Sequence, residues 1–435
     1  MSATSALQSR QKAAIPQGIA TKTLYAARAE NAEIWDVDGK RYIDFAAGIA
    51  VLNTGHRHPA VLRAVSEQAE AFTHTCFHVA PYESYIRLAE RLNALTPGEF
   101  PKKTLLVTTG AEAVENAIKI ARRATGRSAI IAFGGAFHGR TMMGMALTGK
   151  VVPYKKGFGP FPAEVYHAPF PKTFHGVDTA KAMEGLRQLF LNDVDPSRVA
   201  AIIVEPVQGE GGFYIAPAEF LRELRALCDQ YGILLIADEI QTGIARTGRM
   251  FAIDHAGVVP DLITMAKGLA GGFPLAAVTG RAEIMDAADP GGLGGTYGGS
   301  PIGVAAANAV LDVVDGENLS ERAMQIGDLM RERLEDVARR NSLSCIGDVR
   351  NLGAMVAIEF VKNRDPRQSD SAVTSAIIAK AQEKGLILLS CGIDANIIRI
   401  LAPLTIPLEQ VEEGLTIFEA ALAEVTASGS VALPA

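Results

Sequence analysis

At 435 residues the chain can bury a large core and should divide into more than one compact unit. Apolar residues make up 48%, charged residues 21%, and the net charge is −6, which gives no electrostatic footprint for nucleic acid or an anionic membrane. Cys76, Cys228, Cys345 and Cys391 are widely spaced and form no CxxC, which argues against a disulfide framework or zinc site and for a reducing compartment, the cytoplasm. No apolar run approaches the ~20 residues of a membrane span.

Residues 1–28 hold basic residues and serines but no acid, a loose match to an organellar transit peptide. They lack the apolar core of a secretory signal and read as a mobile arm that packs on the body or on a partner subunit. Residues 32–45 alternate apolar and polar around Asp38-Gly39, a hairpin signal. His56 and His58 flank Arg57, but no carboxylate or thiol sits at ligand spacing, so they read as a turn before a helix starting near Ala60. His74 and His78 are four apart without an HExxH pattern and read as structural.

Residues 105–113 pass from an apolar strand through Thr109-Gly110-Ala111-Glu112 into a helix rich in Ala, Glu and Lys. The free N–H groups and dipole of such a helix start suit a phosphate, although strand–Gly–helix turns are common. Residues 128–133 form the next buried strand, followed by Phe137-His138-Gly139-Arg140. Residues 144–151 fit the P-loop pattern except at Val151, where Mg²⁺ binding needs Ser or Thr; no strand leads into them, so nucleotide hydrolysis is set aside. Residues 199–204 are another parallel-type strand, ending in a Gly-rich loop that carries Glu205 and Glu210. No sugar-stacking aromatics cluster there, so a glycosidase pair is not indicated.

An amphipathic helix over 216–230 leads into residues 232–237, an almost unbroken apolar run that reads as a strand buried on both faces. It surfaces at Asp238, at the end of the strand where open α/β sheets bind ligands. A carboxylate there is costly unless a cation meets it. A second apolar run, 261–265, precedes Lys267 and the flexible 268–272. Alone, Lys267 would read as a surface cation; Asp238 changes that. A lysine amine able to form a Schiff base, with an aspartate able to keep a pyridine nitrogen protonated, meets the needs of pyridoxal phosphate (PLP) chemistry.

Residues 274–279 give another short strand, and 294–299 form the densest glycine cluster, which is no GxGxxG because Tyr297 takes the third glycine's place. Two helical stretches run from Ser300 to about Arg340. Short strands in 347–361 and 385–401, a helix over 372–383 and another over 408–424 make a compact α+β unit. Arg399 lies alone in an apolar strand and needs an anionic partner. Residues 427–435 read as a disordered tail of small residues.

From about Trp35 to Leu422 these motifs together resemble the class III (ω-amino acid) aminotransferases of PLP fold type I, and within them the 4-aminobutyrate branch. The resemblance implies an α/β fold with a mostly parallel central sheet in a large domain, residues 61–325. A small α+β domain is then built from both chain ends, 1–60 and 326–435. It makes Lys267 the imine-forming residue and proton carrier, and sets Asp238 at the ring nitrogen with Phe137 and Ile240 against the ring faces. Gln241 falls at the phenolic oxygen, Gly110 and Ala111 in the phosphate cup, and His138 and Glu205 around the cofactor. Ala111 departs from the serine of many relatives and loses a hydroxyl contact. Thr296 is implied to reach the phosphate of a neighbouring subunit.

On the substrate side, the resemblance gives Arg140 the distal carboxylate, Arg399 an α-carboxylate, and Glu210 the role of a switch that pairs with Arg399. Ile49 belongs at the pocket mouth, where ornithine enzymes tend to place a tyrosine. The implied activity moves the amino group of 4-aminobutyrate to 2-oxoglutarate by a ping-pong route, in a homodimer or dimer of dimers, without a metal. Transamination of 5-aminovalerate, ornithine or acetylornithine is the alternative on the same scaffold. A catalytically idle PLP-binding protein is the remote one.

Overall fold

The computed structural model describes residues 2–340 and 344–427; the tail reading for 428–435 lies outside the described residues. The chain opens with α1 (Ala3–Ala14), a helix with no buried residue, tied to the body where Asp38 accepts from the Ala3 amide at 2.9 Å and the Thr4 hydroxyl at 2.6 Å. Three short strands follow, β1 (Ala26–Glu30), β2 (Glu33–Asp36) and β3 (Arg41–Asp44), and β2 and β3 form the expected hairpin around Gly39.

The large sheet begins with β4 (Lys102–Val107), continues through α2 (Gly110–Thr125) to β5 (Ala129–Phe133), and adds β6 (Val165–Ala168) and β7 (Val199–Val204). After α3 (Ala218–Tyr231) come β8 (Leu234–Asp238), β9 (Leu262–Met265) and β10 (Ala276–Arg281). The strand order is β4-β10-β9-β8-β7-β5-β6. All pairs are parallel except those of β10, which runs antiparallel to both β9 and β4. The connection from β9 to β10 spans only residues 266–275, shorter than the dozen or so residues of a parallel crossover, so the strand returns antiparallel. Every residue of β5 and β7 is buried, as continuous apolar runs in a two-sided sheet require.

Beyond α4 (Pro301–Gly316) and α5 (Leu319–Arg340) lies a second sheet, of β11 (Ile346–Leu352), β12 (Met355–Phe360), β14 (Leu389–Cys391) and β15 (Ile397–Ile400), in the order β11-β12-β15-β14. The helices α6 (Ser371–Lys384) and α7 (Leu408–Ala427) pack on each other nearby. The short β13 (Leu386–Ile387) leaves this sheet to pair in parallel with β3, so the two ends of the chain share a four-stranded sheet.

The early histidines are structural contacts. His56 Nε2 lies 3.0 Å from Asp44, His58 Nε2 lies 3.0 Å from Glu317, and the His74 ring stacks beside Tyr297. Among the described residues no helix is long and apolar enough to cross a membrane.

Candidate active site

The parallel strands β5, β7, β8 and β9 all end at one edge of the large sheet, and the loops leaving them enclose a cavity of ≈ 430 Å³. Gly110 and Ala111 at the start of α2 line it, with Phe137, His138 and Arg140 after β5 and Glu205 and Glu210 after β7. Asp238, Ile240 and Gln241 from the end of β8, and Lys267 just past β9, complete the wall.

Asp238 is 3% exposed and fully engaged. Its Oδ1 accepts from Thr264 Oγ1 at 3.0 Å, reaching across from the paired position on β9, and from the Ile240 amide at 3.1 Å. Its Oδ2 meets His138 Nδ1 at 2.7 Å. Burial alone would lower the His138 pKa, but the Asp238 hydrogen bond and charge, with Glu205 beyond, hold it above the ordinary value. His138 Nε2 is buried without a protein partner among the described residues. Glu205 accepts from the Phe137 and Gly209 amides, at 2.9 and 3.0 Å, and burial pushes its pKa up to about 7.

Lys267 begins a short 3₁₀ turn with a left-handed backbone, φ 43°, an uncommon geometry for a residue with a side chain. The backbone passes so close to Asn53 that a side chain on Gly268 would meet its amide at 2.4 Å. Burial lowers the Lys267 pKa, and Arg399 adds to that, against the opposing pull of Glu210, Glu205 and Asp238. The amine therefore gives up its proton more readily than a surface lysine.

At the start of α2, Thr109 and Glu112 form a capping box. Thr109 Oγ1 accepts from the Glu112 amide, and Glu112 accepts from the Thr108 and Thr109 amides at 2.6 and 3.0 Å. Among the described residues, the cap leaves the Gly110 and Ala111 amides without a protein partner at the positive end of the helix. A side chain on Gly110 would press on Ile240 at 3.0 Å, so glycine keeps this end open.

Arg399 on β15 is 5% exposed and finds the anion its apolar strand demands, donating through Nη1 to Glu210 Oε1. Against the cost of burial, this pairing raises the Arg399 pKa and lowers that of Glu210. Arg140 is exposed at the cavity and lies over the ring of Tyr154, 5.0 Å from its centre.

Three expected residues do not line the cavity: Ile49, Thr296 and Arg399, the last of which meets it through its partner Glu210, which does. Ile49 is 42% exposed, and Val51 from the same turn forms the wall instead. Thr296 is exposed on the glycine loop, beside Cys76 and His78 and outside this cavity. The sequence reading missed Thr108, Val51, Tyr154 and the stretch 272–275, all of which border the site or touch its residues. The glycines after Lys267 could have pointed to 272–275. Tyr154 sits in an irregular loop with no pattern to mark it.

The site fits PLP. Two free amides at a helix start suit a phosphate, and a buried carboxylate–histidine pair suits a protonated ring nitrogen. Phe137 and Ile240 offer apolar surface, and Gln241 and His138, which also line the cavity, carry buried polar atoms, Oε1 and Nε2, that find no hydrogen-bond partner among the described residues. A mixed sheet with a lysine, an aspartate and an anion-suited helix start at its strand ends is the arrangement expected of a PLP-dependent enzyme of fold type I. The sequence profile of class III aminotransferases matches residues 15–422, and the chain belongs to that family.

The 5-aminovalerate aminotransferase DavT of Pseudomonas aeruginosa is 55% identical over 412 residues, covering 94% of this chain and 96% of that protein. The 4-aminobutyrate aminotransferase GabT of Escherichia coli is 53% identical over 418 residues, covering 96% and 98%. Among solved structures, an amine transaminase from an uncultivated Pseudomonas species in its PLP-bound form superposes with a TM-score of 0.86 at 31% identity, covering 94% of this chain and 98% of that one.

Proposed function

We propose that this class III aminotransferase uses PLP to move the amino group of 4-aminobutyrate to 2-oxoglutarate, giving succinate semialdehyde and glutamate in two half-reactions. The observation that carries this reading is the pair of arginines: Arg140 open at the cavity, and Arg399 buried against a carboxylate that could move aside. When bound, PLP supplies an aldehyde that takes up the amino group and a ring that accepts electrons from the substrate carbon. Lys267 Nζ, with its lowered pKa, would take the proton from that carbon and deliver it to the former aldehyde carbon of the cofactor. Asp238, oriented by Thr264 and His138, holds the proton on the ring nitrogen. The Gly110 and Ala111 amides anchor the phosphate, Phe137 and Ile240 hold the ring, and Gln241 and Glu205 fix its surroundings.

Arg140 grips the distal carboxylate common to 4-aminobutyrate and glutamate. Arg399 takes the glutamate α-carboxylate when Glu210 swings away, and is neutralised by Glu210 when the substrate has none. A buried arginine left unpaired would cost about 3–5 kcal/mol, so a movable partner lets one pocket serve both substrates.

A second reading, 5-aminovalerate as the amine donor, is favoured by the DavT relative. One methylene separates the two donors, a difference worth only about 1–3 kcal/mol in a pocket. The test is turnover with 4-aminobutyrate, 5-aminovalerate, ornithine, N-acetylornithine and β-alanine against 2-oxoglutarate. We expect 4-aminobutyrate and 5-aminovalerate to lead; preference for ornithine or its acetyl derivative would overturn the proposal. The exposure of Thr296 outside its own chain's cavity supports a homodimer, in which it faces the partner's phosphate, and we assign the enzyme to the cytoplasm.

A further inference from the structure

The loop between Leu147 and Val165 adds nothing to the sheet, yet one of its side chains touches three parts of the site. The Tyr154 hydroxyl donates to Glu210 Oε2 at 3.0 Å, while Glu210 Oε1 accepts from Arg399. The Tyr154 ring lies 4.9 Å from the Phe137 ring and 5.0 Å beneath the Arg140 guanidinium. Burial, then the negative charge of Glu210, pushes the phenol up to about 12, so it remains a donor across the neutral range.

These contacts divide by part of the side chain. The ring supports Arg140 and Phe137 whichever way Glu210 points. The hydroxyl bonds Glu210 in the conformation that also pairs with Arg399, and satisfies the carboxylate oxygen that this pairing leaves over. A movement of Glu210 away from Arg399 gives up both bonds together.

We propose that Tyr154 is a positioning residue for the Glu210 switch, its hydroxyl weighting the enzyme toward the state in which Arg399 is neutralised and a donor without an α-carboxylate is accepted. The inference rests on the two-arginine reading above. It makes the hydroxyl a determinant of selectivity between the half-reactions, and the ring a support for both.

The test is single-turnover kinetics of each half-reaction on the PLP-loaded enzyme, with 4-aminobutyrate and with glutamate. Tyr154→Phe should shift the ratio of kcat/KM for 4-aminobutyrate to that for glutamate roughly tenfold toward glutamate, the lower end for a hydrogen bond to a charged group. Tyr154→Leu, which also removes the ring, should lower both. Glu210→Gln serves as the control for the switch itself. If it selectively impairs 4-aminobutyrate while Tyr154→Phe leaves both half-reactions unchanged, or lowers them equally, the role of Tyr154 is overturned and the switch stands. If Glu210→Gln shows no selectivity, the two-arginine reading fails and takes the Tyr154 proposal with it.

Discussion

In the proposed mechanism Lys267 answers two demands at once: it must be buried to meet a cofactor, and its amine must lose a proton easily to carry one. Burial supplies the second, and the surrounding carboxylates keep the cost within reach. Lys267→Ala should abolish turnover while leaving the fold and its phosphate cup intact; steady-state turnover near the wild-type rate would remove Lys267 from the chemistry. Asp238→Asn should cost about ten- to a hundredfold in kcat, because an amide cannot hold the ring-nitrogen proton and leaves His138 without its carboxylate. A loss below about twofold would make Asp238 merely structural.

Its neighbour Glu239 gives a pH signature. It is buried, accepts from Thr242 and from the Ala252 and Ile253 amides, and burial pushes its pKa up to about 7. Between about 4.5 and about 7 the folded chain therefore holds a proton that the unfolded chain has released. That contribution is fully present below pH ~4.5 and is lost as pH rises through about 7, on the order of 3 kcal/mol over the window. Glu239→Gln does not titrate, so the stability gap between wild type and variant should narrow as pH rises. Urea unfolding at pH 5 and pH 8 measures it, and a constant gap would show an ordinary carboxyl.

Among the elements, α5 is fixed by a close backbone approach. A methyl group on Gly327 would stand 1.8 Å from the Gly353 carbonyl oxygen, in the turn between β11 and β12. Alanine would favour the helix by about 1 kcal/mol, but a clash with backbone has no side chain to move aside and costs typically 1–3 kcal/mol. Gly327→Ala should thus lower the denaturation midpoint; an unchanged or higher midpoint would show that α5 can slide.

The elements also show where the sequence was readable. The apolar runs of β5, β7, β8 and β9 declared themselves because strands covered on both faces tolerate little else, and Asp238 and Arg399 stood out as charges within such runs. The antiparallel course of β10 was not visible in its composition, since strand direction is decided by connection length. The α1 helix carries no apolar face to mark it. Tyr154 could not be read at all, because its contacts join positions far apart in the chain through a loop of no regular form.

For the whole molecule, the position of Thr296 carries the prediction. It is exposed in its own chain, on a loop that also exposes Tyr297, and does not border its own chain's cavity. Sedimentation velocity of the PLP-loaded enzyme should give a dimer or a multiple of one. An active, PLP-loaded monomer would detach Thr296 from the phosphate.

The sheet shared by the two chain ends sets an order on biogenesis. Ile43 on β3 pairs with Leu386 on β13, so roughly 340 residues must leave the ribosome between one strand and its parallel neighbour. At ordinary elongation speeds that interval is on the order of 20–70 s. Throughout it, β3 offers a free edge, and Ile43 and Phe45, both buried in the finished protein, lack the cover that later segments supply. The nascent chain is thus most exposed to mispairing at the free edge of its first hairpin. A chaperone that shields residues 41–45 during synthesis would act where the delay is longest.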